Sequence, residues 1–184
     1  MDTYTALLNR RTIHEYRDEP ISEGAVERAL RAALQAPNHK LTNPWRFTRV
    51  GPMVRAELVR LGVELKAAKK GGLTDEQRDY YRQKFANPAE LVVVSQVLDA
   101  DSFRRREDYA AIACAVQNFL LSLWAEGIGS KWSTGGITTD ERTYELLQID
   151  ADTEEIVGFL WAGVPAETPN PPRRPLEAVL RTTE

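Results

Sequence analysis

Apolar strand patterns separated by helical patterns predict a layered domain of the α/β or α+β kind. Three observations carry that prediction. Leu91 to Leu98 holds the run Val92-Val93-Val94 and reads as a buried strand. Glu155 to Val164 is a second strong strand. Between them, Arg106 to Glu126 is the longest helical pattern, rich in alanine and leucine. The 184 residues suffice for one domain with a full core, expected to span 1–184.

The remaining elements follow in order. Asp2 to Asn9 reads as a short helix. Ser22 is the expected N-cap of a helix with Val26, Ala29, Leu30, Ala33 and Leu34 on one face. That helix must stop before Pro37, because a proline disfavours helix in the residue preceding it. Arg46 to Val50 is a first short strand, and Pro52 opens a helix to about Lys69, broken by Gly71-Gly72. Thr74 with Gln77 forms a capping box for a polar helix that ends near Asn87-Pro88. Gly127 stops the long helix, and Ile128 to Ser133 is another strand. Thr138 with Glu141 predicts a second capping box, for a helix to Leu147. Pro165, Pro169, Pro171, Pro172 and Pro175 define an extended arm ending in the apolar stretch Leu176 to Leu180. The long helix is apolar on nearly all sides, so it is expected to be buried all round, in the monomer core or between subunits. The arm would be costly to order alone. Together these features point to a homodimer.

Composition excludes several classes of function. A net charge of −3 argues against a general nucleic-acid binder. Arg104-Arg105-Arg106 is followed by Glu107-Asp108, and Lys66 to Lys70 has the look of a solvated helix end. No basic region followed by an apolar run opens the chain, so no secretory signal is expected. No stretch reaches the roughly 18 apolar residues of a membrane span. The single cysteine, Cys114, suits the cytoplasm and is expected to pack as a small hydrophobe. Trp124 and Trp161 are expected in the core. His14 and His39, neither near Cys114, make no metal-ligand spacing. A Gly-x-Ser-x-Gly elbow, a P-loop and a Gly-x-Gly-x-x-Gly fingerprint are all missing.

A dispersed cofactor cradle remains. Arg10-Arg11-Thr12 can grip a phosphate, since guanidinium offers paired donors to its oxygens; arginines at a helix end also simply complement the dipole. The turn-rich loop Ala36 to Phe47 carries His39 and Lys40, which packing does not require there, and ends in Trp45 and Phe47, which suit a core. Lys131-Trp132-Ser133-Thr134-Gly135-Gly136 closes a strand on a glycine turn, where amides can approach a flat ligand or merely make a tight turn. Arg173-Arg174, beside Pro175, is either a further phosphate contact or a solvated basic pair.

In their order and spacing these motifs resemble the nitroreductase family, most closely its short-chain, YdjA-like branch. The resemblance rests on Arg10-Arg11-Thr12, Tyr16-Arg17-Asp18-Glu19-Pro20, Ala36-Pro37-Asn38-His39-Lys40, Asn43-Pro44-Trp45, Trp132-Ser133-Thr134-Gly135, Gly158-Phe159-Leu160 and Arg174-Pro175-Leu176-Glu177. It runs from about residue 3 to 181.

The resemblance implies an α+β fold of three layers, with a mostly antiparallel sheet between helices. It also implies an intertwined homodimer that exchanges its C-terminal arms and holds FMN at two interface sites. Arg10 and Thr12, with Arg11 adjacent, map to phosphate contacts, as does Arg174, with Arg173. Trp132, Ser133, Thr134 and Gly135 map to the flavin lining. His39 maps to a flavin contact given by the other subunit, and Gln35, Lys40 and Asn43 join the implied cofactor set. Glu126-Gly127-Ile128-Gly129 corresponds to a region linked with the nicotinamide.

The implied activity is transfer from NADH or NADPH through FMN to a small electrophilic acceptor, nitroaromatic or quinone-like, in ping-pong order. An FMN-binding protein of the same fold with a storage, oxidase or dehalogenase role is the alternative. Two positions depart from the pattern. His14 stands where many relatives have a permanently basic residue. Asn43 stands where other branches carry glutamine before Pro-Trp.

Overall fold

A computed structural model describes residues 1–183. Four strands form one antiparallel sheet: β1 (Trp45–Arg49), β2 (Glu90–Val97), β3 (Gly129–Ser133) and β4 (Glu154–Gly163), in the order β1-β2-β4-β3. The helices are α1 (Thr3–Asn9), α2 (Ala25–Ala33), α3 (Pro52–Lys70), α4 (Asp75–Ala86), α5 (Ser102–Ala125), α6 (Gly136–Thr139) and α7 (Glu141–Leu147). The fold is therefore α+β, as the motifs imply.

Strand alternation assigns the two faces of the sheet. Val92, Val94, Leu160 and Ala162 point to one side, where α2 and α5 cover them. Leu91, Val93, Phe159 and Trp161 point to the other, against Leu58 of α3 and Leu147 of α7. The result is three layers with a core on each face of the sheet. Trp45 and Trp161 are buried, Phe47 and Trp124 partly so. No helix of the described residues is long and apolar enough to cross a membrane.

Helix starts follow local chemistry with informative exceptions. The Thr74–Gln77 capping box forms on both sides. Ser22 does not cap α2. Gly24 takes that position, and the Ser22 hydroxyl turns to Glu126, which also holds Arg28. Thr138 does not cap α7 either, because it is buried and its hydroxyl donates to the Gly135 carbonyl at 2.8 Å. Asp140 caps α7 by accepting from the Arg142 amide. The long helix begins at Ser102, a turn before the expected Arg106, because Asp101 accepts from the Phe103 amide.

Within one chain, α5 is not buried all round. Ala111, Ile112, Ala115, Phe119 and Leu123 face the core, while Tyr109 and Cys114 are exposed. Cys114 thus lies on the outer face of α5 and not in the core where its alanine neighbours suggested it would pack.

Candidate functional site

The segment after α1 is anchored along the free edge of β3. The Ile13 amide donates to the Ser130 carbonyl at 3.1 Å, and Thr12 bridges Ser130 in parallel. Tyr16 bridges Pro165, and its buried phenol donates to the Ile13 carbonyl. Ile13 is fully buried, which stabilises this attachment by roughly 2 kcal/mol. Residues on either side are thereby held against β3 although they belong to no regular strand.

Arginines gather at the start of this segment. Arg10 is half-buried, and its Nη1 is buried without a hydrogen-bond partner. Burial depresses its pKa, and so do the neighbouring guanidiniums of Arg173 and Arg11. Arg11 donates to the Leu8 carbonyl at 2.8 Å and to Asn170 Oδ1 at 3.3 Å, which brings the arm back over the end of α1. No carboxylate pairs with Arg10, Arg11, Arg173 or Arg174 among the described residues. A buried, unpaired donor beside two more cations is unfavourable unless an anion completes it. Arg174 is exposed next to Arg173.

Further along β3 the strand ends in a turn suited to a flat ligand. Gly135 has φ 135°, a conformation that side chains resist, and Thr134, Gly135 and Gly136 are exposed. The Gly135 carbonyl is taken by Thr138. Among the described residues the Thr134 and Gly135 amides meet no acceptor. Ser133 Oγ accepts from Trp161 Nε1 at 2.8 Å. Trp132 lies across Gly158, where a Cβ would stand 2.1 Å from Nε1, and its indole points toward the Val157 carbonyl. The Trp132 ring therefore belongs to the wall and leaves the backbone to face a ligand.

His14 is exposed and borders a cleft of ≈ 80 Å³ with Glu15, Tyr80 and Lys84. Lys84 of α4 bridges Glu15 at 3.0 Å. Sequence reasoning passed over Lys131, which is buried with its ammonium 5.5 Å from the Trp161 ring centre. Burial, aided by Lys84 and opposed by Glu15, pushes it down to about 8. The signal was available, since a lysine two residues before Ser133 shares its strand face.

The other expected residues sit elsewhere. Gln35 is exposed beyond the end of α2. His39 and Lys40 occupy an exposed 3-10 turn, His39–Leu41, before β1. Lys40, Leu41 and Asn43 all have positive φ. Thr42 ties this loop to Asp108 of α5 at 2.6 Å, and Asn43 donates to the Leu41 carbonyl. Because β1 and β3 are opposite edges, about three strand spacings, or roughly 14 Å of sheet, separate the two groups within one chain. A different opening, of ≈ 760 Å³, lies between the start of α3 and the end of α4. Its Arg55 spends its donors on the Ala86, Pro88 and Ala89 carbonyls, so this opening lacks the unpaired cations of the β3 edge.

Known proteins share this fold. YfhC of Bacillus subtilis, named for NAD(P)H nitroreductase activity, is 30% identical over 168 residues, covering 90% of this chain and 86% of that protein. A nitroreductase-like protein from Bacillus cereus superposes with a TM-score of 0.81 at 26% identity, covering 100% of this chain and 97% of the other. A structure from Desulfovibrio desulfuricans, described as a nitroreductase in complex with FMN, has a TM-score of 0.77 at 26% identity, covering 98% and 96%. The Nitroreductase family profile matches residues 7–164, and this chain belongs to that family.

Proposed function

We propose that this chain is an FMN-dependent oxidoreductase that draws electrons from NADH or NADPH. The observation that carries the proposal is the unpartnered, half-buried Arg10 beside Arg11 and Arg173, with no carboxylate among them. That donor set fits a phosphate monoester, and the Thr134–Gly135 amides, at the end of the strand that Thr12 bridges, supply donors suited to a flat ring. The names of YfhC and of the FMN-bound D. desulfuricans protein support the same cofactor and donor.

In this scheme Arg10, Arg11, Thr12, Arg173 and Arg174 hold the phosphate. Ser133, Thr134 and Gly135 line the ring through their backbone, with Trp132 as the wall behind. FMN supplies the redox chemistry when bound, serving NAD(P)H and a small electrophilic acceptor in turn, as in a ping-pong cycle. His14 supplies a donor beside the ring without a permanent charge.

Gln35, His39, Lys40 and Asn43 lie too far across the sheet to complete the same site in one chain. A homodimer brings the loop of a second protomer over the β3 edge. Large apolar side chains left exposed on α1, α5 and the arm support that assembly: Tyr4, Leu7, Leu8, Tyr109, Leu176, Val179 and Leu180.

The test is spectroscopic. Purified protein should be yellow, or become so with FMN, and should bleach anaerobically with NADH or NADPH. A flavin-bound protein that neither nucleotide bleaches would keep the cofactor and lose the reductase activity. A protein that takes up no FMN would overturn the proposal.

A further inference from the structure

We propose that Lys131, held over Trp161 behind the Ser133–Gly135 turn, is a buried cation that raises the reduction potential of a flavin seated against that turn. The inference rests on the cofactor proposed above and assigns a role to a residue outside the phosphate and ring contacts.

Lys131 and Ser133 are two residues apart on β3, so both side chains leave the same face of the sheet. Both meet Trp161: the Lys131 ammonium stands 5.5 Å from its ring centre, and its indole N–H donates to Ser133 Oγ at 2.8 Å. The charge is thus built into the wall that carries the turn. It does not reach the cofactor and acts through the field it sets there, as a positioning residue.

The surroundings leave this charge without a carboxylate partner. Lys131 is only 7% exposed and forms no ion pair among the described residues. Glu15 lies near, but its carboxylate is engaged by Lys84 at 3.0 Å, and Lys84 itself adds repulsion. Tyr80 of α4 accepts from Lys84 at 3.1 Å and not from Lys131. His14 lines the neighbouring cleft with Lys84 and Glu15. A lysine in this position carries a cost that an apolar residue would avoid. An adjoining group that gains negative charge on reduction would offset that cost.

The experiment compares FMN-loaded wild-type protein with Lys131→Met and Lys131→Arg by redox titration from about pH 6.5 to about pH 9.5. Below about pH 8 the methionine variant should favour oxidised flavin about tenfold more than wild type, or ~30 mV lower for a two-electron couple. The gap should close at higher pH as Lys131 loses its proton, whereas Lys131→Arg should keep the higher potential throughout. Equal potentials in wild type and Lys131→Met, or a gap that ignores pH, would overturn the role of Lys131 alone. A wild-type chain that takes up no FMN would overturn the cofactor proposal and this inference together.

Discussion

The β3-edge segment and the β1-edge loop both carry candidate cofactor residues, yet they are held in opposite ways. Arg10 to Arg17 is anchored by a buried Ile13, a buried Tyr16 and backbone bonds from Ile13 to Ser130 and from Arg17 to Val164. The loop from Gln35 to Asn43 has no buried side chain beyond Ala36, and polar contacts from Asn38, Thr42 and Asn43 hold it. Three of its residues have left-handed backbones that cost about 1 kcal/mol or more each, and Leu41 is 79% exposed. A segment attached by its own core can present unpaired cations. A strained, exposed loop held by polar contacts alone has more to gain from being covered.

Breaking the anchor should have the largest effect. Ile13→Ala should cost about 2–5 kcal/mol of stability by denaturant unfolding, since the cavity opens against β3. A loss below 1 kcal/mol would mean that the segment is held by its hydrogen bonds instead.

Lys131→Met should come next, with the opposite sign. The folded pKa of Lys131 lies below its unfolded value, so protonation favours the unfolded chain. Wild-type stability should therefore rise between about pH 8 and pH 10.5. The methionine variant should be more stable by about 3 kcal/mol at pH 7, and that gain should fade over the same window.

Arg10→Ala should weaken FMN binding about 10- to 100-fold by fluorescence titration, the worth of a charge-assisted contact. Thermal stability of the cofactor-free protein should stay level or rise, because the removed guanidinium had no partner. A fall in that stability would show Arg10 to be structural.

The smallest signal is the most specific for the comparison. Arg10→Ala and His39→Ala, each weak alone, should together restore binding in mixed dimers at one FMN per two chains. That is because one of the two composite sites is then intact. No restoration would place both groups in one subunit's site or leave His39 outside it.

Much of this was legible in the chain. The apolar runs Leu91 to Leu98, with Val92-Val93-Val94, and Glu155 to Val164 identified the two central strands, because both faces of the sheet are covered there. The arginine motif after α1 and the glycine turn after β3 were visible as separate fragments, about 120 residues apart, and nothing local joins them. Caps were read less well. Ser22 and Thr138 have cap chemistry, but tertiary partners at Glu126 and Gly135 claim their hydroxyls. Lys131 escaped notice because a lysine in a strand is read by default as solvent-facing.

Residue order alone determined most of the elements, a layered domain of strands and helices, and the types of donor available, since periodicity and charge are local properties. Only the tertiary structure decided that Arg10 lies near Arg173 without a carboxylate, that Lys131 stands over Trp161, and that the His39 loop and Thr12 lie at opposite edges of the sheet. Those facts depend on which strands become neighbours, and burial then decides which charges lose water and which keep it.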